Sequence, residues 1–207
     1  MLIVDDHAIL RAGLKNLLLS ERSVGTVVEA GDFGEAVAAV RAEDFCAVLL
    51  DINLPGRSGL DVLSHIRRIR PQLPVLMLSM HPATQYGLRA IRAGASGYLS
   101  KDCPPEELLA AVRTVLQGRR YITPEIAEQL AWAVSDPHDG LDRHRNLSNR
   151  ELEILQLFGR GLSTAEIAEL LCLSKNTVNT YRARILDKLD LRNSVELMRY
   201  AIEHQLA

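Results

Sequence analysis

Along the first 118 residues, short apolar runs alternate with longer stretches whose apolar positions recur at helical spacing. The runs cover 2–4, 26–28, 47–50, 74–78 and 97–99, each rich in Val, Ile or Leu and too short for a helix. Fully buried parallel strands read this way. Between them lie 8–19, 34–42, 59–69, 84–93 and 105–116. In the last of these, Leu108, Leu109, Val112, Val115 and Leu116 fall at i, i+1, i+4, i+7 and i+8, an amphipathic helical stripe. Five βα units in succession predict an α/β fold: a doubly wound, five-stranded parallel sheet with helices on both faces.

From 119 to 144 the alternation stops. Pro124, Pro137, Gly140 and the polar run Ser135-Asp136-Pro137-His138-Asp139-Gly140 predict a linker, with a short helix near 125–134. After Asn146 every segment reads as helix. Ser148 with Glu151, Ser163 with Glu166 and Asn193 with Glu196 have capping-box spacing and mark three helix starts. Gly159 and Gly161 close the first helix. The second, 164–171, runs into Cys172-Leu173-Ser174, and another begins near Lys175. The pattern is helix, tight turn, helix. The expected division is therefore 1–118, a linker over 119–144, and a small all-α helix-turn-helix domain over 145–207.

Composition narrows the class. Of 207 residues, 47% are hydrophobic but only 4% aromatic, so aliphatic side chains must fill the core. The longest apolar run, 45–50, is far short of the ~20 residues that cross a bilayer. Asp5 and Asp6 follow Met1-Leu2-Ile3-Val4 at once, which does not read as a signal peptide. Cys46, Cys103 and Cys172 are odd in number and match no metal-ligand spacing. Together these predict a cytoplasmic protein. Net charge is −2; residues 145–207 hold nine Lys/Arg against eight Asp/Glu, while 121–144 come to −4. Any case for nucleic acid must rest on where the charges sit.

Asp5 and Asp6 end the first predicted strand and Asp51 ends the third. In a parallel sheet such ends converge on one crevice near the switch point. Three carboxylates there need a cation, and a hard divalent ion with oxygen ligands, Mg²⁺ by preference, suits them. Ser79 ends the fourth strand and Lys101 follows the fifth, bringing a hydroxyl and an ammonium to the same rim. A carboxylate nucleophile among such groups suits an incoming phosphoryl group. Each residue also has an ordinary use. Asp5-Asp6 can cap a helix, Asp51 can be a loop residue, Ser79 a helix cap, and Lys101 a solvated lysine. What favours the joint reading is that all five fall at the same end of five consecutive βα units.

Residues 1–118 resemble the receiver domain of a two-component response regulator. The resemblance is carried by Val4-Asp5-Asp6-His7, Leu50-Asp51-Ile52-Asn53-Leu54-Pro55-Gly56, Leu78-Ser79-Met80 and Gly97-Tyr98-Leu99-Ser100-Lys101. It implies that Asp51 accepts a phosphoryl group from a sensor histidine kinase. It further implies that Asp6, Asp51 and the carbonyl of Asn53 bind Mg²⁺, with Asp5 acting through water. Lys101 would hold a phosphate oxygen, Ser79 would move onto another, and Tyr98 would be the aromatic that turns inward with it. One departure is Asp102, where many receivers have Pro after the Lys. Asn53 and His81, two residues beyond Asp51 and Ser79, are candidates for tuning hydrolysis of the acyl phosphate; His81 is equally a loop residue before Pro82.

In the helix after the turn, Val178, Tyr181, Ile185 and Leu189 form an inward face expected to pack on Ile167, Ala168 and Leu171. The opposite side carries Asn176, Asn179, Thr180, Ala183 and Arg184, bordered by Lys175, Arg182 and Lys188. Polar residues at an exposed helix start with basic flanks suit the major groove, the cations on phosphates and Asn and Thr on base edges. A plain helical bundle with a solvated face is the alternative. The strings Leu147-Ser148-Asn149-Arg150-Glu151-Leu152-Glu153-Ile154-Leu155, Glu166-Ile167-Ala168 and Ser174-Lys175-Asn176-Thr177-Val178-Asn179-Thr180-Tyr181 resemble the LuxR-type helix-turn-helix. Receiver plus this module resembles the NarL/FixJ-type regulators. By that resemblance Asn179, Thr180 and Ala183 face bases. The last helix, near 194–205, with Val195, Met198 and Ile202, is the element through which relatives dimerise, although a three-helix core has a use for the same residues.

The resemblance implies a switch: phosphorylation frees the DNA-binding helix of a resting protein, which then dimerises on promoter DNA. Two rivals compete. An aspartyl phosphatase would need an acid/base Asp two residues after Asp51, where Asn53 stands. A constitutive or ligand-gated regulator with a degenerate receiver would not need Asp5, Asp6, Asp51, Ser79 and Lys101 all intact.

Overall fold

The computed structural model of the chain describes residues 1–55, 57–80, 82–135, 144, 147–204 and 206. It divides into two compact units, Met1–Ser135 and Asp136–Ala207.

In the first unit, β1 (Leu2–Val4), β2 (Val28–Ala30), β3 (Val48–Asp51), β4 (Val75–Ser79) and β5 (Gly97–Ser100) form one parallel sheet in the order β2-β1-β3-β4-β5. The helices between and after them are α1 (Ala8–Leu19), α2 (Phe33–Ala42), α3 (Gly59–Ile69), α4 (Ala83–Arg92) and α5 (Pro105–Leu116). Alternation along the strands assigns the two cores. Ile3, Leu49, Leu76, Leu78 and Leu99 pack with Leu14 and Leu18 of α1 and Leu108, Ala111, Val112 and Val115 of α5. Their strand neighbours Leu2, Val4, Val48, Leu50, Val75 and Met77, all buried, point to the other face, where α2 meets α3 and β1, α3 meets β3, and α4 meets β5. Chain order reverses between β1 and β3, which makes the space beyond their carboxyl ends the switch-point crevice.

Two elements differ from the sequence reading. β2 lies at Val28–Ala30, two residues later than the apolar run at 26–28, because its register sets Val28, Glu29 and Ala30 against Leu2, Ile3 and Val4. β2 is an edge strand, so Glu29 can remain at the surface, where it pairs with Lys15 and Arg11. The short helix of the expected linker, α6 (Pro124–Ser135), packs on α4. Ile126, fully buried, fills the hollow left by the absent side chain of Gly87; a Cβ there would stand 2.8 Å from Ile126 Cγ1. Just before α6, the Tyr121 N–H donates to Ser96 O at 2.8 Å, and the backbone of Tyr121 bridges to Gly97 on β5.

The second unit holds α7 (Asn149–Gly159), α8 (Thr164–Leu170), α9 (Lys175–Leu189) and α10 (Ser194–Glu203). Both halves of the capping box form at Ser148/Glu151 and at Ser163/Glu166. The third expected box differs: Asn193 accepts from the N–H groups of Val195 and Glu196, while Glu196 reaches past it to the N–H of Arg192 at 2.8 Å. Gly161 (φ 84°) and Asp190 (φ 58°) follow α7 and α9 in the left-handed region, and Cys172 (φ 52°) turns the chain from α8 toward α9. Arg150, nearly buried, donates to Leu171 O at 3.1 Å and so ties α7 to the end of α8.

Candidate functional site

Asp51 is the last residue of β3 and Asp5 follows β1, so the two carboxylates flank the switch point, each only 1% exposed. Burial pushes the Asp51 carboxyl up to about 6, with the Asp5 charge adding to the rise and Lys101 and the Asn53 N–H opposing it. The two oxygens of Asp51 have separate partners. Oδ1 accepts from the Asn53 N–H at 3.1 Å, and Oδ2 lies 2.6 Å from Lys101 Nζ. Lys101 Nζ also lies 2.7 Å from Asp5 Oδ2, so the ammonium is shared between the two carboxylates. Burial pulls the Lys101 ammonium down, yet hydrogen bonding and attraction from Asp5 and Asp51 outweigh it and hold the pKa above its usual value.

Asp6 and His7 form the solvent side of the same crevice. His7 Nδ1 is 2.7 Å from Asp6 Oδ1 and 3.2 Å from Asp5 Oδ1, and the His7 N–H donates to Asp5 Oδ1 at 2.8 Å. One ligand atom from each of Asp5, Asp6, His7 and Asp51 falls within a cluster no wider than 4.8 Å. Three carboxylates against the Lys101 ammonium leave a surplus of negative charge. Carboxylate oxygens at this spacing are a donor set that fits a hard divalent cation. Arg11 Nη1 donates to Asp5 O at 2.5 Å and fixes the end of β1.

Ser79 at the end of β4 and Tyr98 on β5 are both fully buried and hydrogen-bond to each other. Burial raises the Tyr98 phenol to about 12, so it serves as a neutral donor or acceptor. The sequence reading has this ring turning inward with Ser79; here it already stands inward. The Lys101 N–H donates to Ser79 O at 2.8 Å, which joins the two strand ends beside the Asp51 carboxylate. His81 and Gly56 lie outside the described residues.

Sequence reasoning passed over Gly59. Its N–H donates to Ile52 O at 2.7 Å as α3 starts directly behind the end of β3. A Cβ at this position would overlap the Asp51 carbonyl and stand 2.8 Å from Asp51 C and 2.9 Å from Ile52 Cα, all backbone atoms. Only glycine permits this approach. The available signal was the glycine at a helix start shortly after the loop that follows Asp51.

In the second unit the inward face of α9 follows the periodicity at three of its four positions: Val178, Ile185 and Leu189 are buried, as are Ile167, Ala168 and Leu171, while Tyr181 is only half-buried. Lys175, Asn176, Asn179, Thr180, Ala183 and Arg184 are exposed along the other side. Three expected contact residues have local duties. Thr177 serves the cap, its N–H and hydroxyl both against Ser174 Oγ. Arg182 Nη1 reaches Ser194 Oγ at 3.3 Å, and Lys188 Nζ lies 2.7 Å from Glu151 Oε2. The Thr180 hydroxyl donates back to Asn176 O at 2.9 Å and keeps its acceptor side open. On α10, Leu197 and Ala201 turn inward, Val195 and Ile202 are 69% and 62% exposed, and Met198 is half-buried.

Comparison with known proteins covers both units. Residues 1–113 match the response regulator receiver domain, and residues 145–201 match the bacterial regulatory proteins of the luxR family. The response regulator UvrY of Escherichia coli K12 is 37% identical over 206 residues, covering all of this chain and 94% of UvrY. The transcriptional regulatory protein UhpA of the same organism is 38% identical over 95% of this chain and 94% of its own length. Among solved structures, RcsB of Salmonella enterica serovar Typhimurium, bound to promoter rprA with the phosphomimetic BeF₃⁻, is similar at 25% identity. That match has a TM-score of 0.63 and covers 96% of each chain.

Proposed function

The chain belongs to the two-component response regulators that join a receiver domain to a LuxR-type DNA-binding domain, the NarL/FixJ family, and from that premise we propose that a sensor histidine kinase phosphorylates Asp51 to promote dimerisation on promoter DNA. The family consists of transcription regulators, not turnover enzymes, and its receivers imply a kinase as partner. Within the described residues no helix is long and apolar enough to cross a membrane. The proposed division of labour assigns residues 1–118 to phosphate acceptance, 119–144 to the connection, and 145–207 to DNA.

One observation carries the proposal: Lys101 Nζ bridges Asp5 and Asp51 from within a crevice that has more carboxylate than it can neutralise. Asp5, Asp6, Asp51 and the Asn53 carbonyl would hold Mg²⁺, in keeping with the acidic cluster typical of such receivers. When bound, Mg²⁺ supplies positive charge to the phosphoryl oxygens and to the attacking carboxylate. Asp51 is the nucleophile. Lys101 leaves its bridge to hold a phosphate oxygen, and Ser79, breaking from Tyr98, donates its hydroxyl to another. The acyl phosphate adds about −1.5 to −2 charge at this point. Shifting a two-state balance from 1:99 to 99:1 takes roughly 5.5 kcal/mol of preference, and these contacts are its source.

RcsB is seen on promoter DNA. The corresponding reading places the start of α9 in the major groove, Asn179, Thr180 and Ala183 toward base edges and Lys175 and Arg184 on phosphates. Val195, Met198 and Ile202 would form the dimer contact, setting two modules on half-sites about one turn apart. The decisive experiment treats the full chain with Mg²⁺ and acetyl phosphate or beryllofluoride. Wild type should gain one phosphoryl group at Asp51, dimerise and bind DNA more tightly; Asp51→Asn should do none of these. A wild-type chain that gains no phosphoryl group, or whose assembly state and DNA affinity ignore both reagents, refutes the proposal.

A further inference from the structure

Where α2 meets α3, the surface gathers cations around a single imidazole. His65, half-buried on α3, has Nδ1 2.8 Å from Arg68 Nη2 and Nε2 3.4 Å from Arg41 Nη2. Phe33 meets the ring edge-on with centroids 5.6 Å apart, and the Arg57 guanidinium sits 4.3 Å over Phe33. Among the described residues none of these three arginines pairs with a carboxylate, whereas nearby Arg70 pairs with Asp44 at 2.8 Å. Basic residues in a last turn suit the helix dipole, which accounts for Arg41 on α2 and Arg68 on α3 one at a time. It does not account for their meeting at His65. A guanidinium carries only donors, so the 2.8 Å contact makes Nδ1 the acceptor and puts the proton of the neutral ring on Nε2. That N–H then faces Arg41, donor against donor. A second proton on the ring gives no relief: burial and the charges of Arg68, Arg41 and Arg57 hold the His65 pKa below its ordinary value.

We propose that Arg41 and His65, with Arg57 and Arg68 beside them, bind a doubly charged oxyanion, the phosphate group of a small phosphate monoester. Two nitrogens 3.4 Å apart let one anion oxygen accept from both, which turns the donor mismatch into a pair of hydrogen bonds. The remaining oxygens fall to the flanking guanidiniums, whose forked donors match phosphate. A dianion fits better than a carboxylate because three cations converge here without an acid to balance them. None of these residues belongs to the acidic crevice.

The test follows the His65 ring by nuclear magnetic resonance in the full-length, Mg²⁺-free protein, its signal identified by its loss in His65→Gln. Inorganic phosphate and glycerol phosphate are titrated at an ionic strength held constant with chloride. Both should move the His65 signal saturably and raise its pKa, because a bound anion offsets Arg41 from α2 and Arg57 and Arg68 from the α3 side. Arg41→Gln should weaken binding roughly tenfold, the effect of losing one charge-assisted hydrogen bond. Arg70→Gln, whose charge is already paired with Asp44, should leave affinity within about twofold. Both arginines are exposed, and circular dichroism establishes that each variant is folded. A shift no larger than chloride produces overturns the site. So does one that survives Arg41→Gln, or one that Arg70→Gln weakens as much, which would mark general attraction of anions to a basic surface. A short DNA duplex that moves the signal where both small phosphates do not also overturns it, by marking the face as a nucleic-acid contact.

Discussion

Asp51 is stored at a cost. Its folded-state pKa of about 6 lies above the ordinary carboxylate value. A group raised in this way contributes stability that is complete below pH about 4 and is lost as pH rises through about 6. At neutral pH the buried charge therefore opposes folding, by at most about 3 kcal/mol for a rise of this size. Asp51→Asn should raise the thermal midpoint at pH 7.5 in EDTA, and the gain should shrink as pH falls to 4.5; calorimetry across that range checks it. Gly59→Ala should act in the opposite sense. Its methyl would meet the backbone of Asp51 and Ile52, which cannot swing aside as a side chain can, so urea denaturation should show a loss of more than about 2 kcal/mol, in line with overpacking at a site that cannot relax. That Asp5, Asp6, Asp51, Ser79 and Lys101 would gather at one rim was legible in the sequence because each ends or directly follows a strand of the parallel sheet. The bridge from Lys101 to both Asp5 and Asp51, and the closeness of Gly59 to Asp51, depend on how strands far apart in sequence lie side by side, which no local pattern records.

At the level of elements, legibility followed periodicity. The five strands, the helices and the caps at Ser148 and Ser163 all had local signals. β2 slipped by two residues because strand pairing, not hydrophobicity, sets an edge strand's limits. The docking of α6 on α4 had no signal at all, because it depends on an empty position at Gly87 accepting Ile126. On α9, helical spacing separated inward from outward faces but could not show that Lys188 turns to Glu151. Salt titration of DNA binding should expose that difference. Lys175→Ala should reduce the slope of log affinity against log salt by about one, while Lys188→Ala should leave it almost unchanged and slightly lower stability. Gly161, in the left-handed region with open space around a Cβ, isolates a pure backbone effect. Gly161→Ala should cost about 1 kcal/mol in thermal unfolding without altering DNA specificity.

At the scale of the whole molecule, the proposed dimer contact would link DNA binding to assembly through two exposed aliphatics on α10, Val195 and Ile202. Ile202→Glu should leave the fold intact, since the side chain is mostly exposed. By analytical ultracentrifugation it should lower phosphorylation-dependent dimerisation and with it the affinity for a two-half-site promoter, while sparing affinity for a single half-site. The docked segment after α5 has a separate practical consequence for anyone who dissects the protein. β5 is the last strand of the sheet, and Tyr121 lies against it with backbone hydrogen bonding at Ser96 and Gly97. A fragment cut at 118, where the repeating βα pattern ends, strips that cover and also bares the notch at Gly87. Its flank then offers unsatisfied amides and carbonyls to the nearest like surface, the situation in which sheets polymerise edge to edge. A fragment running to 135 keeps its own selvedge, and should stay monomeric at concentrations where the shorter one precipitates.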